Sequence, residues 1–430
     1  MNLSVPPTAD LRRIDGPLPA RLAALGSALL VAMPLVMWIA NRSAPLVLAL
    51  ATVAFVAAGL TAEGWRPAWR RLAAILRSPI GLALGGFMLL ALISLAWSHR
   101  PAQGLAAWGE FVLPAACGAA IMASGRFRPG RRCARALAGA IIVAIVFMMA
   151  ELATGLSLRA TLEIGRHQSY IFNRPVLTCL MLSAAVYALL RGGAVATRWD
   201  AALLGLLVLA VAWACFGSDS GAAGLGFLVM VSVGLTARFA PRFALAAVAA
   251  GFAATMALAP IMGRFGDAAL PPALHERLAS SHSRERVDIW LSFGEAALAH
   301  PLFGTGFATT PTLDRHPVAL AVSEPRRWLL AVGHPHNAPL QAWVETGAIG
   351  AGLLGFAGLA FLFRLRRLRA QDLAPRLALF SAAFAIASVA HGAWQGWWIA
   401  ALAAAALWLS APPADVPASS PTEAEEAHHG

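Results

Sequence analysis

Lysine is absent from the 430 residues, so all 33 basic side chains are arginines, set against 21 acidic ones. Charged residues make up only 13% of the chain, where a soluble protein carries about a quarter. So few charges cannot cover a water-facing surface, which excludes an ordinary soluble domain. The short alternating segments of a β-barrel are missing too. Cysteine is scarce: Cys117, Cys179 and Cys215 fall in apolar stretches and Cys133 in a basic connection, so no disulfide framework is expected. No period of repeat length is visible.

What is present is hydrophobicity, 59% of the chain. Window after window of about 20 residues has almost no charge, the length a helix needs to cross a bilayer. In lipid every backbone polar group must be satisfied internally, so the spans are helices. The expected fold is an all-α polytopic membrane protein of about twelve spans. They lie near 21–40, 44–62, 79–97, 105–123, 136–153, 173–190, 201–216, 222–237, 243–262, 339–362, 376–391 and 393–411. The first span is expected to act as its own signal. Around the spans sit a tail at 1–20, a long connection at 263–338, and a Pro-, Ser- and acid-rich tail at 412–430, expected to be disordered.

The net charge of +12 reads as topology rather than as a nucleic-acid footprint. With the N-terminus in the cytoplasm, the inner connections hold 21 arginines, while the short outer ones and adjoining span ends hold five. That asymmetry is the positive-inside pattern. Both termini are expected in the cytoplasm, and 263–338 outside. A connection of that length is normally functional or disordered. This one concentrates Arg264, Arg277, Arg284, Arg286, Arg315, Arg326 and Arg327 with His275, His282, His300, His316, His334 and His336. Arginine suits phosphate because its planar fork gives bidentate hydrogen bonds. Within "SRERVDIWLSFGEAALAHPLFGTGF", Val287, Trp290, Leu291, Ala297 and Leu298 share a helical face. This predicts a helix on the membrane surface with Trp290 as anchor, or a lid packed on the bundle.

The stretch "VGHPHNAPLQAWVETGAIG" closes the outer segment. Asn337 suits a helix N-cap and Pro339 the first turn. The new helix would aim its positive end outward, a place for an anion. Ala348 with Gly352 and Ala351 with Gly355 have the four-residue spacing of close helix packing. His334 and His336 form a His-x-His pair without a clear third ligand, so no metal is expected. The residues alone point to an outer-face site for a phosphate-bearing ligand.

His336-Asn337, nine residues, then Gly347-Ala348-Ile349-Gly350 resembles the motif of the bacterial O-antigen ligases. "RVDIWLSFGEAALAHPLFGTGF" is similar to that family's stretch of Arg, Trp, a helix and Pro-x-x-Gly-x-Gly. "FNRPVLTCLML" resembles its Asn-Arg entry into a middle span. "SDSGAAG" departs from the Ser-Arg-Gly-Ala of many relatives, so that turn gets no role.

The resemblance implies a glycosyltransferase of lipopolysaccharide synthesis at the periplasmic face of the inner membrane, without a cofactor. The donor would be a polysaccharide on undecaprenyl diphosphate and the acceptor a sugar hydroxyl of lipid A–core. His336 would be the general base, and Arg286 and Arg174 would grip the diphosphate. Asn337, His334, Arg284, Arg166, Arg326 and Arg327 are supporting candidates, and His167 is a weaker one. Gly347 and Gly350 are the motif glycines.

The alternative is the related O-antigen or exopolysaccharide polymerase, whose paired Arg-x10-Gly motifs are not evident here. A transporter would place ionisable or helix-breaking residues at mid-span, and these spans are nearly charge-free at their centres. Oligomeric state stays open.

Overall fold

Apolar runs of span length become helices here because only a helix satisfies its own backbone inside lipid. The computed structural model describes residues 16–165, 167–191, 197–269 and 283–410. Arg166, His275, Arg277, His282, most of the N-terminal tail and the 412–430 tail lie outside the described residues. No strand occurs among the described residues.

The helices are α1 (Pro17–Ile39), α2 (Ala44–Glu63), α3 (Trp65–Leu76), α4 (Pro79–Ile93), α5 (Pro101–Ser124), α6 (Arg131–Ala153), α7 (Asn173–Arg191), α8 (Arg198–Gly217), α9 (Gly221–Phe239) and α10 (Pro241–Leu258). They continue as α11 (Met262–Ala269), α12 (Ser283–Ala299), α13 (Ala338–Leu365), α14 (Ala370–Ala387) and α15 (Gly396–Ser410), with short helical turns between.

Among the described residues, ten helical stretches are long and apolar enough to cross a membrane. The chain is a multi-pass membrane protein. The places expected for spans eleven and twelve are taken by α14 and the shorter apolar α15. Helix α3, "WRPAWRRLAAIL", is not announced by the hydropathy pattern. It buries no residue and leaves Trp65 and Trp69 exposed, as suits a helix lying along an interface.

The largest core gathers around α7, whose Val176, Leu180, Met181 and Leu182 are fully enclosed by α1, α6, α8 and α15. A second cluster joins α4, α5, α10 and α13 through Phe87, Phe111, Phe252 and Trp394. The segment before α13 has a small core of its own, in which Ile289, Phe293, Leu313, Leu330, Leu340 and Val344 pack over the start of α13.

Two expectations are corrected by this packing. Helix α12 is a docked lid, with Val287, Leu291, Phe293 and Ala297 buried. The half-buried Trp290 indole N–H donates to the Pro335 carbonyl at 3.0 Å. Span ten is also not one continuous helix. Gly347 takes φ +63° and ψ −166°, breaking α13 where the motif glycine sits.

The break is filled by the "PLFGTG" loop. The Ala348 N–H donates to the Pro301 carbonyl at 2.8 Å and the Ile349 N–H to the Leu302 carbonyl at 3.3 Å. In return the Thr305 and Gly306 N–H groups donate to the Val344 and Glu345 carbonyls at 2.8 and 3.0 Å. A backbone that leaves helical geometry at membrane depth must find such partners. The two glycine motifs, far apart in sequence, are therefore two halves of one joint. Gly352, by contrast, has nothing near its Cβ position, so the expected Ala348/Gly352 packing contact is not there.

Candidate functional site

The hub of the site is the non-helical arm 388–395 between α14 and α15. The sequence pattern hides it, because apolar counting runs spans eleven and twelve almost together. Buried groups on α13 fasten the arm. Glu345, fully buried, accepts from the Trp394 indole at 2.6 Å, Gln341 Nε2 at 3.0 Å, the Ala308 N–H at 2.7 Å and the Thr310 hydroxyl at 2.5 Å. Gln341 Oε1 in turn accepts from the Ala393 N–H at 2.9 Å. A buried carboxylate is tolerable only with such saturation. Glu345 thereby ties together the glycine loop, α13 and the arm.

His336 stands at φ +50°, an uncommon conformation for a residue with a side chain. Asn337 holds the following turn as expected, its Oδ1 accepting from the Leu340 N–H at 3.0 Å. The His336 ring shares a hydrogen bond through Nδ1 with the Ala390 carbonyl. A carbonyl only accepts, so Nδ1 carries the hydrogen and Nε2 keeps its lone pair. Burial lowers the His336 pKa below the usual histidine range, and the nearby Arg286 charge pushes the same way, against the Ala390 carbonyl. The ring is thus neutral near pH 7, with Nε2 free to accept a proton.

His334 packs edge-on against His336, ring centres 4.2 Å apart, and its Nδ1 accepts from the His336 N–H at 3.3 Å. Burial, then the neighbouring His336 and His391, push its pKa down to about 4. His391, on the arm itself, was not anticipated. It lies against the rings of Trp397 and Trp398, at 5.1 and 4.8 Å. Burial, then the charges of Arg174 and His336, lower it to about 4 despite the Gly392 carbonyl.

The two expected guanidinium groups flank this hub. Arg286 reaches from α12 to donate to the Val389 carbonyl at 2.7 Å, one residue from the carbonyl that holds His336. Arg174, at the head of α7, lies over the Trp397 ring at 5.7 Å. Among the described residues neither forms an ion pair with an acid. Arg284 does, meeting Asp267 at 3.1 Å and Asp288 at 3.4 Å. Arg326 pairs with Glu295 at 2.7 Å, and Arg327 donates to the Val322 carbonyl at 3.2 Å. These three are engaged within the segment that precedes α13 and are not bonded to the hub.

Arg174 also lines a cavity of about 510 Å³ between the heads of α2, α7 and α15 and the middle of α5, with Arg42, Glu110, Leu113, Gln395 and Trp397 in its wall. Its wall combines an indole ring, two guanidiniums and one carboxylate; His336 and Arg286 meet the neighbouring arm at Ala390 and Val389. The arrangement can hold an anion and take a proton from a hydroxyl beside it.

Residues 176–355 match the O-antigen ligase family. The O-antigen ligase match runs from the first turns of α7 into the second half of α13. It includes Arg286, His336, Gly347 and Gly350, and begins two residues after Arg174. Two Rickettsia proteins are similar as well. One, from Rickettsia felis, bears the name "Putative polysaccharide ligase" and is 25% identical over 228 residues, 51% of this chain and 54% of its own. The other, from Rickettsia prowazekii, carries the same description and is 23% identical over 185 residues, 42% of this chain and 45% of its own. The chain spans about half the length of each of these relatives. The family read from the ordered motifs is the family that matches.

Proposed function

We propose that this chain is an O-antigen ligase. It transfers polysaccharide from undecaprenyl diphosphate to a sugar hydroxyl of lipid A–core, at the periplasmic face of the bacterial inner membrane. The observation that carries the proposal is the site's composition. A neutral His336 with an open Nε2 and Arg286, without an acid partner, meet on one arm at one end of the bundle, and Arg174, also without an acid partner, stands over Trp397 at the head of the following helix. The arginine asymmetry supports placing that end outside, with 263–338 outside and both termini inside.

In this mechanism His336 Nε2 takes the proton as the acceptor oxygen attacks the anomeric carbon of the donor sugar. The bond from that carbon to the phosphate oxygen breaks, and undecaprenyl diphosphate departs with the bonding electron pair. Arg286 and Arg174 meet the negative charge that grows on the leaving group, where electrostatic stabilisation gains most. No nucleotide is required, because the broken diphosphate linkage supplies the driving force.

Arg286→Ala and Arg174→Ala are each expected to reduce transfer by roughly 10²-fold or more, the scale of losing one electrostatic stabiliser. Lysine at either position is expected to recover little, since it lacks the bidentate fork. Transfer of polysaccharide to purified lipid A–core checks this, and alanine variants with near-normal activity would make both residues anchors only. The function itself is tested in cells lacking the chain. A core without long chains, with lipid-linked polysaccharide building up, supports ligation. Single repeats on the core would contradict it and point to a polymerase.

A further inference from the structure

At the opposite end of α13 from His336 lies a second cavity, of about 610 Å³, between the tail of α13 and the head of α4. Phe356, Leu359 and Phe363 line it on α13, and Pro79 lines it on α4. Phe356 and Phe363 are more than half exposed, so the walls are apolar surface open to the membrane. Arg364, in the last turn of α13, and Arg367, in the turn after it, stand at one end of the cavity. Phe356 lies about 12 Å along the helix from Arg364, close to the roughly 15 Å of hydrocarbon in one leaflet.

Several other arginines at this end of the bundle are neutralised. Arg71 and Arg126 share Glu63 at 2.9 and 2.8 Å, and Arg131 and Arg135 share Asp200 at 3.4 and 2.7 Å. Among the described residues, the guanidiniums of Arg364 and Arg367 have no ion-pair or hydrogen-bond partner. Their spacing of three residues puts them on one side of the helical turn. Arg366, between them, lies 3.6 Å over the Phe363 ring, a cation–π contact that steadies the apolar wall. Two uncompensated cations at the end of an apolar trough one leaflet deep complement a lipid with an anionic head.

We propose that this cavity binds an anionic phospholipid from the leaflet away from the His336 end. Arg364 and Arg367 grip its phosphate, to which the planar fork of arginine gives bidentate hydrogen bonds. One acyl chain runs along Phe363, Leu359 and Phe356, against Pro79. Basic pockets between membrane helices recognise anionic head groups by this combination. Selection is by charge: a zwitterionic lipid offers the same chains and phosphate, but the two guanidiniums repel its ammonium. The lipid is a structural ligand, bound apart from the hub, and holds the foot of α13 against α4.

The test uses the full chain, purified in detergent and stripped of lipid, titrated with phosphatidylglycerol or phosphatidylcholine and read by native mass spectrometry. One phosphatidylglycerol is expected to bind about tenfold or more tighter than phosphatidylcholine. The double change Arg364→Gln with Arg367→Gln is expected to weaken phosphatidylglycerol about a hundredfold, the scale of two charge-assisted hydrogen bonds, and to remove the preference. Arg66→Gln with Arg70→Gln, both exposed on α3 and outside the cavity, removes equal charge and is expected to leave both affinities in place. Ala360→Trp, which fills the trough, is expected to weaken both lipids. Phosphatidylglycerol is also expected to raise the Tm of the unaltered chain but not that of the Arg364 and Arg367 double variant. An unaltered chain with no preference for phosphatidylglycerol overturns the proposal. So does equal loss in the two double variants, which would make the attraction a general surface charge. Undiminished binding by Ala360→Trp would leave no seat for the acyl chain and overturns it as well. The arginine variants, at exposed positions, decide the matter if Ala360→Trp does not fold.

Discussion

His336→Ala is expected to lower transfer by about 10²- to 10⁴-fold, the usual worth of a general base, while the protein still inserts and accumulates. The ring is half-buried, and its hydrogen bond to the Ala390 carbonyl orients it without carrying the core. Lipid-linked polysaccharide should then collect unattached. His334→Ala should cost less, because His334 touches His336 rather than a substrate. The same account fixes the pH dependence. The neutral ring is the competent form, and burial and Arg286 hold its pKa below the ordinary value of about 6.5. Activity should persist through neutral pH and fall as pH drops through that lowered value. Arg286→Gln removes a neighbouring positive charge, so the acid limb of its residual activity should move upward. A well-folded His336→Ala protein with full activity, or an acid limb that ignores Arg286, would remove His336 from the chemistry.

The largest effect on folding is expected at Gly347. A Cβ there would lie 2.2 Å from the Leu302 carbonyl oxygen and 2.5 Å from the Phe303 nitrogen, both backbone atoms that cannot swing aside. The residue also occupies a backbone region that essentially only glycine enters. Strain and overpacking together come to roughly 2–6 kcal/mol. Gly347→Ala should therefore lose most folded protein, read as the monodisperse fraction on size exclusion and as a lowered Tm. Gly350→Ala should be milder, since its nearest obstacle is the Thr346 side chain. Gly352→Ala, on an open face, should be neutral or slightly stabilising. Equal behaviour of all three would contradict the joint between the glycine loop and the broken helix.

The distribution of effects shows which features the sequence displays. Span positions follow from long apolar runs, and the helices from α1 to α10, α3 excepted, lie close to where hydropathy puts them. His336, Arg286 and Arg174 are legible because they sit at motif positions and at span ends. The joint at Gly347 is not legible, since its partners Pro301 and Leu302 lie some 45 residues away and the bonding is all backbone. Glu345 reads as a polar interruption of a span, and only the fold reveals the donors that surround it. His391 is missed because "AHGAWQGWW" is apolar enough to pass as membrane. Arg42 reads as one charge in a topology count until the fold brings it into the same cavity wall as Arg174.

The most direct test gives the purified chain a lipid-linked polysaccharide and lipid A–core together and measures both products. The account predicts polysaccharide on lipid A–core with one undecaprenyl diphosphate released for each chain attached. Longer chains still on the lipid carrier, with lipid A–core unmodified, would contradict it.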